Sequence, residues 1–244
     1  YQPDNAVLMV AGKFDTAKTL ALIEKTFGAV AKPTRQLEKT WTREQARDRV
    51  LSDDEIKAVI RAGGGDTYPY GPFVLLLLAT AQRRGEVAQM RWSEIDLDGR
   101  IWVIPAERSK NGKPHVVPIS DYALRILTAM VRHLDSDWVF TTTRRCPINS
   151  FSKATRRIHE ASATSGWRLH DLRRTGATIM VSLGVLPEVA ERCLNHTEEN
   201  KVKRIYQRHS YEVEMREAWR LLGDRLDLLT RTDAGNVVTF QRSA

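Results

Sequence analysis

The stretch His170-Asp171-Leu172-Arg173-Arg174-Thr175 decides how the fold of this chain is interpreted. Residues three apart lie on one face of a helix, so His170 and Arg173 can contact the same anion. Two shorter stretches follow along the chain, Leu194-Asn195-His196 and Ile205-Tyr206-Gln207-Arg208-His209. Together they indicate a phosphate that is held by cations and attacked by a tyrosine without a metal ion.

Two further cations precede this stretch. One begins Arg83-Arg84-Gly85-Glu86, and the other is the first lysine of Ser109-Lys110-Asn111-Gly112-Lys113. In this order the motifs resemble the catalytic signature of the tyrosine recombinases, the phage-integrase family of DNA strand-exchange enzymes. Each motif alone also occurs in unrelated proteins, where an isolated arginine is usually a solvated helix charge. The combination in one order favours the family.

Cleaving a phosphodiester requires a nucleophile, stabilisation of the charge on the phosphate oxygens and a proton for the departing alkoxide. The resemblance implies that Tyr206 is the nucleophile, with Tyr211 as the alternative. A phenol has an ordinary pKa of about 10, so nearby cations must favour the phenolate. Arg83 and Arg173 are the predicted phosphate ligands, because a guanidinium holds two oxygens at once and stays charged. Glu86 is predicted to orient them as a hydrogen-bond acceptor.

The same resemblance assigns the remaining steps. It implies that Lys110 protonates the leaving 5′-oxygen from a mobile hairpin tip, that His170 assists proton transfer, and that His196 hydrogen-bonds a non-bridging oxygen. No cofactor is expected, since a covalent link to tyrosine conserves the energy of the phosphodiester bond. No metal site is expected either, because the sequence contains no paired-carboxylate cluster at metal-ligand spacing.

The charge of the chain favours a polyanionic partner. The formal net charge is +8 and the sequence pI is about 9.7. Residues 144–174 contain eight lysines and arginines and two acidic residues, a local field of the kind that follows a phosphate backbone. Double-stranded DNA is the expected partner, and the resemblance implies a homotetramer on it. The predicted DNA-binding side chains are Arg84, Lys113, Arg144, Arg145, Arg168 and Arg174.

Cysteine usage and hydropathy narrow the class of protein further. Cys146 and Cys193 form neither a disulfide framework nor a zinc motif. The longest apolar run, Phe73 to Ala81, is shorter than the roughly 20 residues needed to cross a bilayer. The chain opens on polar residues rather than on a cleavable signal. We therefore expect reduced thiols, no membrane association and a cytoplasmic location.

The chain is predicted to consist of two unrelated pieces. Residues 1–42 resemble a β-α fragment of the zinc-dependent insulinase and processing-peptidase family, and the resemblance is clearest in the sequence from Asp4 to Asp15. The pattern predicts a strand over residues 6–10, a helix from Thr16 to Phe27 and a polar linker up to residue 42. The metal motif of that family, His-x-x-Glu-His, is absent. We interpret this piece as a fragment without the peptidase site, joined by a fusion or gene-boundary event.

The second piece is a predicted catalytic domain over residues 48–229, followed by a tail over 230–244. Ser52, with Glu55 three residues later, indicates a capping box. The pattern predicts strands around an Asn111-Gly112 turn at 101–104 and 115–119, and helices at 73–82, 85–92, 121–133, 149–163, 170–183, 187–194 and 210–229. The expected fold is mainly α with a small antiparallel β-sheet, the tyrosine-recombinase catalytic fold preceded by a short β-α fragment.

The predicted function is site-specific DNA cleavage and rejoining through a 3′-phosphotyrosyl intermediate, most similar to integrases of prophages and genomic islands. Family members carry a helical core-binding domain before the catalytic one, and residues 1–42 do not match it, so impaired recombination is expected. The alternatives are a DNA-binding remnant without recombination activity, an inert fusion product and a type IB topoisomerase. The sequence leaves open the target DNA sequence, accessory proteins and integration versus excision.

Overall fold

The computed structural model of the chain describes residues 10, 12–30, 49–66, 68–196 and 211–231. The chain divides into two compact units, Tyr1–Arg47 and Asp48–Ala244. Several expectations fall outside the described residues: the strand before residue 10, the linker after residue 30, the nucleophile Tyr206 and the tail after residue 231.

The first unit contributes one described helix, α1 (Thr16–Phe27), which has the predicted bounds. Asp15 caps it, because its carboxylate accepts a hydrogen bond from the Lys18 N–H at 3.1 Å. None of the residues of α1 is buried, and Leu20 and Leu22 are 60% and 63% exposed. The apolar spacing that predicts the helix therefore does not pack into a core within the described part of this unit.

The second unit is mainly helical. Its described helices are α2 (Asp53–Gly65), α3 (Tyr70–Thr80), α4 (Arg84–Ala88), α5 (Asp121–Thr128), α6 (Ser152–Ser162), α7 (Leu169–Ser182), α8 (Pro187–Cys193) and α9 (Glu212–Arg231). Helix α2 begins at the predicted capping box, in which the Ser52 Oγ accepts from the Glu55 N–H at 3.3 Å and a Glu55 carboxylate oxygen accepts from the Ser52 N–H at 2.9 Å. Helix α3 is apolar all round and packs against α2, α5 and α7, which makes it the central helix.

Three of the described helices are several residues shorter than predicted, among them α6, which spans Ser152–Ser162 rather than residues 149–163. Helix α4 ends at Ala88, because the backbone that follows pairs with a later segment: the Trp92 N–H bonds to the Asp137 carbonyl at 2.8 Å, and the Val139 N–H bonds to the Met90 carbonyl at 3.0 Å. Helix α5 ends at residue 128, where the last turn tightens to a bond between residues three apart.

A three-stranded antiparallel sheet stands between α4 and α5 in the chain, with the order β1 (Ile95–Asp96), β2 (Ile101–Ile104) and β3 (His115–Pro118). Side chains alternate across a strand, so β3 buries His115 and Val117 and exposes Val116. Strands β2 and β3 confirm the prediction. Strand β1 was not predicted, because two residues carry no alternating pattern.

The connection between β2 and β3 differs from a two-residue hairpin. The ladder ends where Ile104 faces His115, so residues 105–114, here called the Lys110 loop, form the connection. Gly112 adopts φ +67° within it and donates its N–H to the Ser109 carbonyl at 3.0 Å. The Asn111 side chain is engaged in hydrogen bonds of its own, including one from the Lys113 N–H at 3.1 Å, which favours the longer loop.

The core of the second unit is built around three fully buried tryptophans, Trp102, Trp167 and Trp219. Burial of side chains of this size is the main stabilising term for the domain. Trp219 lies on α9, and its indole N–H donates to the Thr80 carbonyl at 2.9 Å, which fixes the last helix to the end of α3. None of the described helices combines the length and apolarity needed to span a membrane.

Candidate active site

The C-terminal turn of α8, residues 193–196, organises the site. The last carbonyls of a helix have no partners within it and carry partial negative charge. Helix α8 starts with Pro187, a residue suited to a first turn, and its end is followed by Asn195 at φ +52°. The carbonyls of residues 193, 194 and 195 all accept hydrogen bonds from side chains of distant segments.

Arg173 is buried beneath this turn, with 3% of its surface exposed. Its Nη1 donates to the Ala81 carbonyl at 3.0 Å, and its Nη2 donates to the Leu194 carbonyl and lies 3.1 Å from His196 Nε2. Burial, together with the nearby Arg83, lowers the pKa of Arg173 to about 10. The guanidinium therefore remains protonated at neutral pH, held by acceptors from two segments, the end of α3 and the α8 C-terminal turn.

Arg83 approaches the same turn from the start of α4. Its Nη1 contacts a carboxylate oxygen of Glu86 at 3.0 Å, and the other oxygen of that carboxylate accepts from the Arg83 N–H at 3.0 Å. Its Nη2 lies 3.5 Å from the Asn195 carbonyl. Glu86 is buried and holds Arg83 at two points, one on the guanidinium and one on the backbone N–H. Two arginines share one buried carboxylate here, which leaves an excess of positive charge for an anion.

His196 extends the cluster toward solvent. Arginine can only donate, so the approach of Arg173 to Nε2 makes that nitrogen an acceptor and places the proton on Nδ1, which contacts Glu191. The side chain of His196 is 45% exposed, so an incoming group can reach it. The imidazole therefore lies between a buried cation and an exposed acid.

His170 lies near the surface on the first turn of α7. Its pKa is lowered, first by partial burial of the ring and then by Arg174, Arg173 and Arg83, with Asp171 opposing the shift. A lowered pKa favours the neutral imidazole at pH 7, which is the form that accepts a proton.

Lys110 is exposed on the Lys110 loop. Its neighbours attach the loop to the α8 C-terminal turn: the Asn195 amide donates to the Ser109 Oγ at 2.9 Å, and the Asn111 amide donates to the Asn195 Oδ1 at 2.6 Å. The loop that carries the predicted proton donor is thus linked to the turn that holds both arginines.

The predicted site residues therefore fall into two groups. Within the described part of the chain, Arg83, Arg173 and His196 meet at one turn, His170 lies within electrostatic reach of the two arginines, and Lys110 is attached through its loop. Tyr206 lies outside the described residues, and its role as the nucleophile stays a prediction.

The alternative nucleophile, Tyr211, lies at the start of α9 in a different setting. Its ring is half-buried against the core, and the Arg192 guanidinium lies 4.4 Å from the ring centre. A phenol packed between the core and a cation is well placed to stabilise the fold.

His115 was not predicted from the sequence, although it belongs to the cluster. It is buried on β3, and its Nε2 lies 3.2 Å from the Cys193 carbonyl, which also accepts from the Gln82 amide at 2.9 Å. Burial lowers the pKa of His115; Arg173 and Arg83 act in the same direction, while the carbonyl contact and Glu86 oppose them. A histidine in phase with buried Val117 was the signal that could have identified it.

The six predicted DNA-binding cations lie partly or fully exposed at the surface of the second unit. Some already have protein partners: Arg84 lies 4.9 Å from the ring centre of Phe151, and Arg144 contacts Asp135 at 3.3 Å. In the described ranges there is no group of three or more His, Cys, Asp or Glu side chains that could hold a metal ion.

The fold and the cluster together define a class, a mainly helical domain with a small antiparallel sheet and a cationic cluster of arginine and imidazole groups. The chain belongs to the Phage integrase family, whose profile matches residues 49–213. Residues 1–68 match the Peptidase M16 inactive domain, which supports the peptidase-like resemblance of the first piece but extends beyond its predicted end at residue 42 and overlaps the integrase match.

Curated relatives support the same assignment. The chain is 33% identical over 165 residues to prophage integrase IntA of Escherichia coli (strain K12). This alignment covers 66% of this chain and 39% of that protein. It is 30% identical over 158 residues to the integrase of Shigella phage Sf6, covering 62% and 40%. The chain thus spans about two fifths of the length of these relatives.

Solved structures confirm the predicted fold. XerA recombinase superposes with a TM-score of 0.54 at 21% identity, over 83% of this chain and 72% of that one. A lambda integrase dimer bound to a COC′ core site superposes with a TM-score of 0.50 at 25% identity, over 62% and 59%. The catalytic fold expected from the sequence is therefore present.

Proposed function

We propose that this chain is a site-specific tyrosine recombinase that cleaves and rejoins double-stranded DNA. The observation that carries the proposal is the convergence of Arg83, Arg173 and His196 on the α8 C-terminal turn. Such a cluster suits the extra negative charge that a phosphate develops when a fifth oxygen attacks it. Relatives named as prophage and phage integrases, and a neighbour bound to a DNA core site, supply the substrate class.

The proposed reaction transfers one phosphoryl group of a DNA strand from O5′ to a tyrosine oxygen. Tyr206 Oη attacks the phosphorus, the bond from phosphorus to O5′ breaks, and the 3′ side of the strand remains on the tyrosine. The neutral imidazole of His170 takes the phenol proton, while Lys110 Nζ gives a proton to the departing O5′. Attack by a 5′-hydroxyl of a partner strand reverses each transfer, so the bond energy is conserved.

The charged groups bind the phosphate through these steps. Arg83 and Arg173 donate to the non-bridging oxygens, and Glu86 holds Arg83 in place. The family resemblance implies that His196 hydrogen-bonds a non-bridging oxygen, and the Nδ1 contact with Glu191 holds the ring beside Arg173. The six predicted surface cations follow the flanking DNA backbone. We further propose a homotetramer on DNA, as the family resemblance implies.

The test is covalent capture on DNA. A pool of nicked duplexes with a randomised core is incubated with the full chain, and adducts that survive denaturation are collected and sequenced. We expect an adduct in the wild type and in Tyr211→Phe, and none in Tyr206→Phe. Capture that persists in Tyr206→Phe and disappears in Tyr211→Phe would move the nucleophile to residue 211.

Two other outcomes would favour different functions. Salt-sensitive binding without any adduct would support a DNA-binding remnant, since phosphate contacts alone give strong salt dependence. Relaxation of supercoiled plasmid without partner sites would favour a type IB topoisomerase.

A further inference from the structure

Three polar side chains form a closed ring of hydrogen bonds beside the cluster. The Ser109 Oγ donates to the Asn111 Oδ1 at 2.8 Å, the Asn111 amide donates to the Asn195 Oδ1 at 2.6 Å, and the Asn195 amide donates to the Ser109 Oγ at 2.9 Å. Each member therefore donates once and accepts once within the ring. The Asn111 Oδ1 also accepts from the Lys113 N–H at 3.1 Å, so the ring extends to the loop backbone.

Two members of this hydrogen-bond ring lie on either side of Lys110 in the chain, so the ring affects the position of that lysine. Ser109 and Asn111 flank Lys110, and both bond to a residue more than 80 positions away. Ser109 is buried, so its hydroxyl is shielded from competing water. The ring therefore restricts the loop on both sides of Lys110, and it acts before any DNA is present.

Asn195 connects the ring to the arginine cluster. Its backbone carbonyl faces Arg83 Nη2 at 3.5 Å, while its side chain holds the loop. It occupies φ +52° after the end of α8, a position where glycine serves equally well as a helix terminator. Ending the helix thus requires only a residue that tolerates this backbone, whereas the two bonds to the loop require the amide.

We propose that Asn195 is a positioning residue that fastens the Lys110 loop to the arginine cluster and so holds the proton donor near the leaving oxygen. This inference rests on the proposed role of Lys110. It alters the expectation of a mobile hairpin tip, because the fastening exists within the protein itself.

Hydrogen exchange on the full chain tests the fastening without any need for activity. Asn195→Gly is compatible with the left-handed backbone and removes the side chain that carries the amide, so exchange across residues 105–114 should accelerate roughly tenfold, with the largest change at the Lys113 N–H. Ala163→Gly is the matched control, because Ala163 also ends a helix at positive φ, +50°, away from the loop. Exchange in 105–114 that stays at the wild-type rate in Asn195→Gly would overturn the proposal.

A substrate with sulfur in place of the leaving 5′-oxygen tests the consequence for catalysis. A thiol is far more acidic than an alcohol, so a thiolate departs without a proton from Lys110. We expect Asn195→Gly to slow adduct formation at least about tenfold on the oxygen substrate and to recover most of that loss on the sulfur substrate, as Lys110→Ala should. An equal loss on both substrates would show a general structural defect and would contradict positioning.

The two tests separate this inference from the proposed function. A wild-type chain that forms no adduct on either substrate would count against strand cleavage. The exchange result would still decide whether Asn195 holds the loop.

Discussion

At the scale of single residues, Arg173 offers the sharpest test of the cluster. Arg173→Lys keeps the charge, but one ammonium cannot reproduce the planar fork that reaches both the Ala81 and Leu194 carbonyls. We expect the free energy of unfolding to fall by about 1–3 kcal/mol, because a buried acceptor is left unpaired. Adduct formation should fall by about 10²–10³-fold, the usual effect of losing one donor to a transition-state oxygen.

The adjacent residue provides the control for this change. Arg174 pairs with Asp171 at 3.4 Å and is partly exposed, so Arg174→Lys should leave the urea unfolding midpoint within error of the wild type. An Arg173→Lys variant that matches wild type in both urea unfolding and adduct rate would remove Arg173 from the proposed machinery.

His115 predicts a pH dependence of stability. Its folded pKa lies below the ordinary value of 6.5, chiefly because of burial, so below that pH the unfolded chain takes up a proton that the folded chain refuses. Stability should therefore be constant above about pH 7.5 and decline as the pH falls through 6.5. His115→Gln keeps an amide donor toward Cys193 and does not titrate, so its urea midpoint should decline less on the acid side. The same acid-side slope in both proteins would show that other groups control it, of which His170 is the first candidate.

At the scale of elements, substitutions at two helical glycines distinguish the effect of helix packing on stability from the effect of helix propensity. A Cβ on Gly223 of α9 would lie 2.6 Å from Ser120, whose Oγ caps α5, so Gly223→Ala should destabilise the fold by about 1–3 kcal/mol. Gly64 of α2 has no atom within 4 Å of such a Cβ. Gly64→Ala should therefore stabilise by about 0.5–1 kcal/mol, since alanine loses less backbone entropy in a helix. Thermal unfolding of the pair checks both, and a shift of the same sign would contradict the packing argument.

The elements also show how far local sequence can predict this fold. The bounds of α1 and the start of α2 could be predicted because apolar spacing in α1 and the Ser52 capping box of α2 are local signals. The early end of α4 could not be predicted, because the partner of Trp92 is the Asp137 carbonyl, far along the chain. The same reason hid the role of Asn195: its sequence neighbours indicate a helix end, whereas its function as a link depends on Ser109 and Asn111.

For the candidate site, motif order predicted which cations converge, and tertiary structure supplied what the motifs omit. Arg83, Arg173 and His196 meet at the α8 C-terminal turn, while their catalytic roles stay predictions. The carbonyl acceptors that hold the two arginines belong to every residue type alike, so no sequence pattern encodes them. His115 is a polar residue that alternation places on the same side of the strand as Val117. That is a weak signal until the fold shows which side of the strand is buried.

At the scale of the whole molecule, the net charge of +8 predicts a steep salt dependence of DNA binding. Arg145 is exposed among the predicted DNA contacts, so Arg145→Ala should reduce the slope of log affinity against log salt by about 1. Lys57→Ala, on α2 and paired with Asp54 at 3.5 Å, is the control that should keep the slope. Fluorescence anisotropy over a salt series measures both, and equal slopes would place residue 145 away from the DNA.

The division into two units predicts the outcome of a truncation. In the described part of the chain, the buried apolar side chains run from Leu51 to Leu229, so the second unit contains its own core. A chain that begins at residue 48 should therefore keep the thermal unfolding midpoint of the full chain. A fall of several degrees would show that residues 1–47 contribute to its stability and would move the predicted boundary.

The α8 C-terminal turn affects when, during folding, the candidate site is assembled. Three of the side chains that contact its carbonyls lie 111, 112 and 78 positions away in the sequence. No short segment of the chain can therefore bring the cations together alone. Contacts of such long range form late, after most of the chain has collapsed. A partly synthesised or partly unfolded chain therefore has separated arginines and no assembled cationic cluster, so the proposed nucleophile Tyr206 is not activated before the domain is complete.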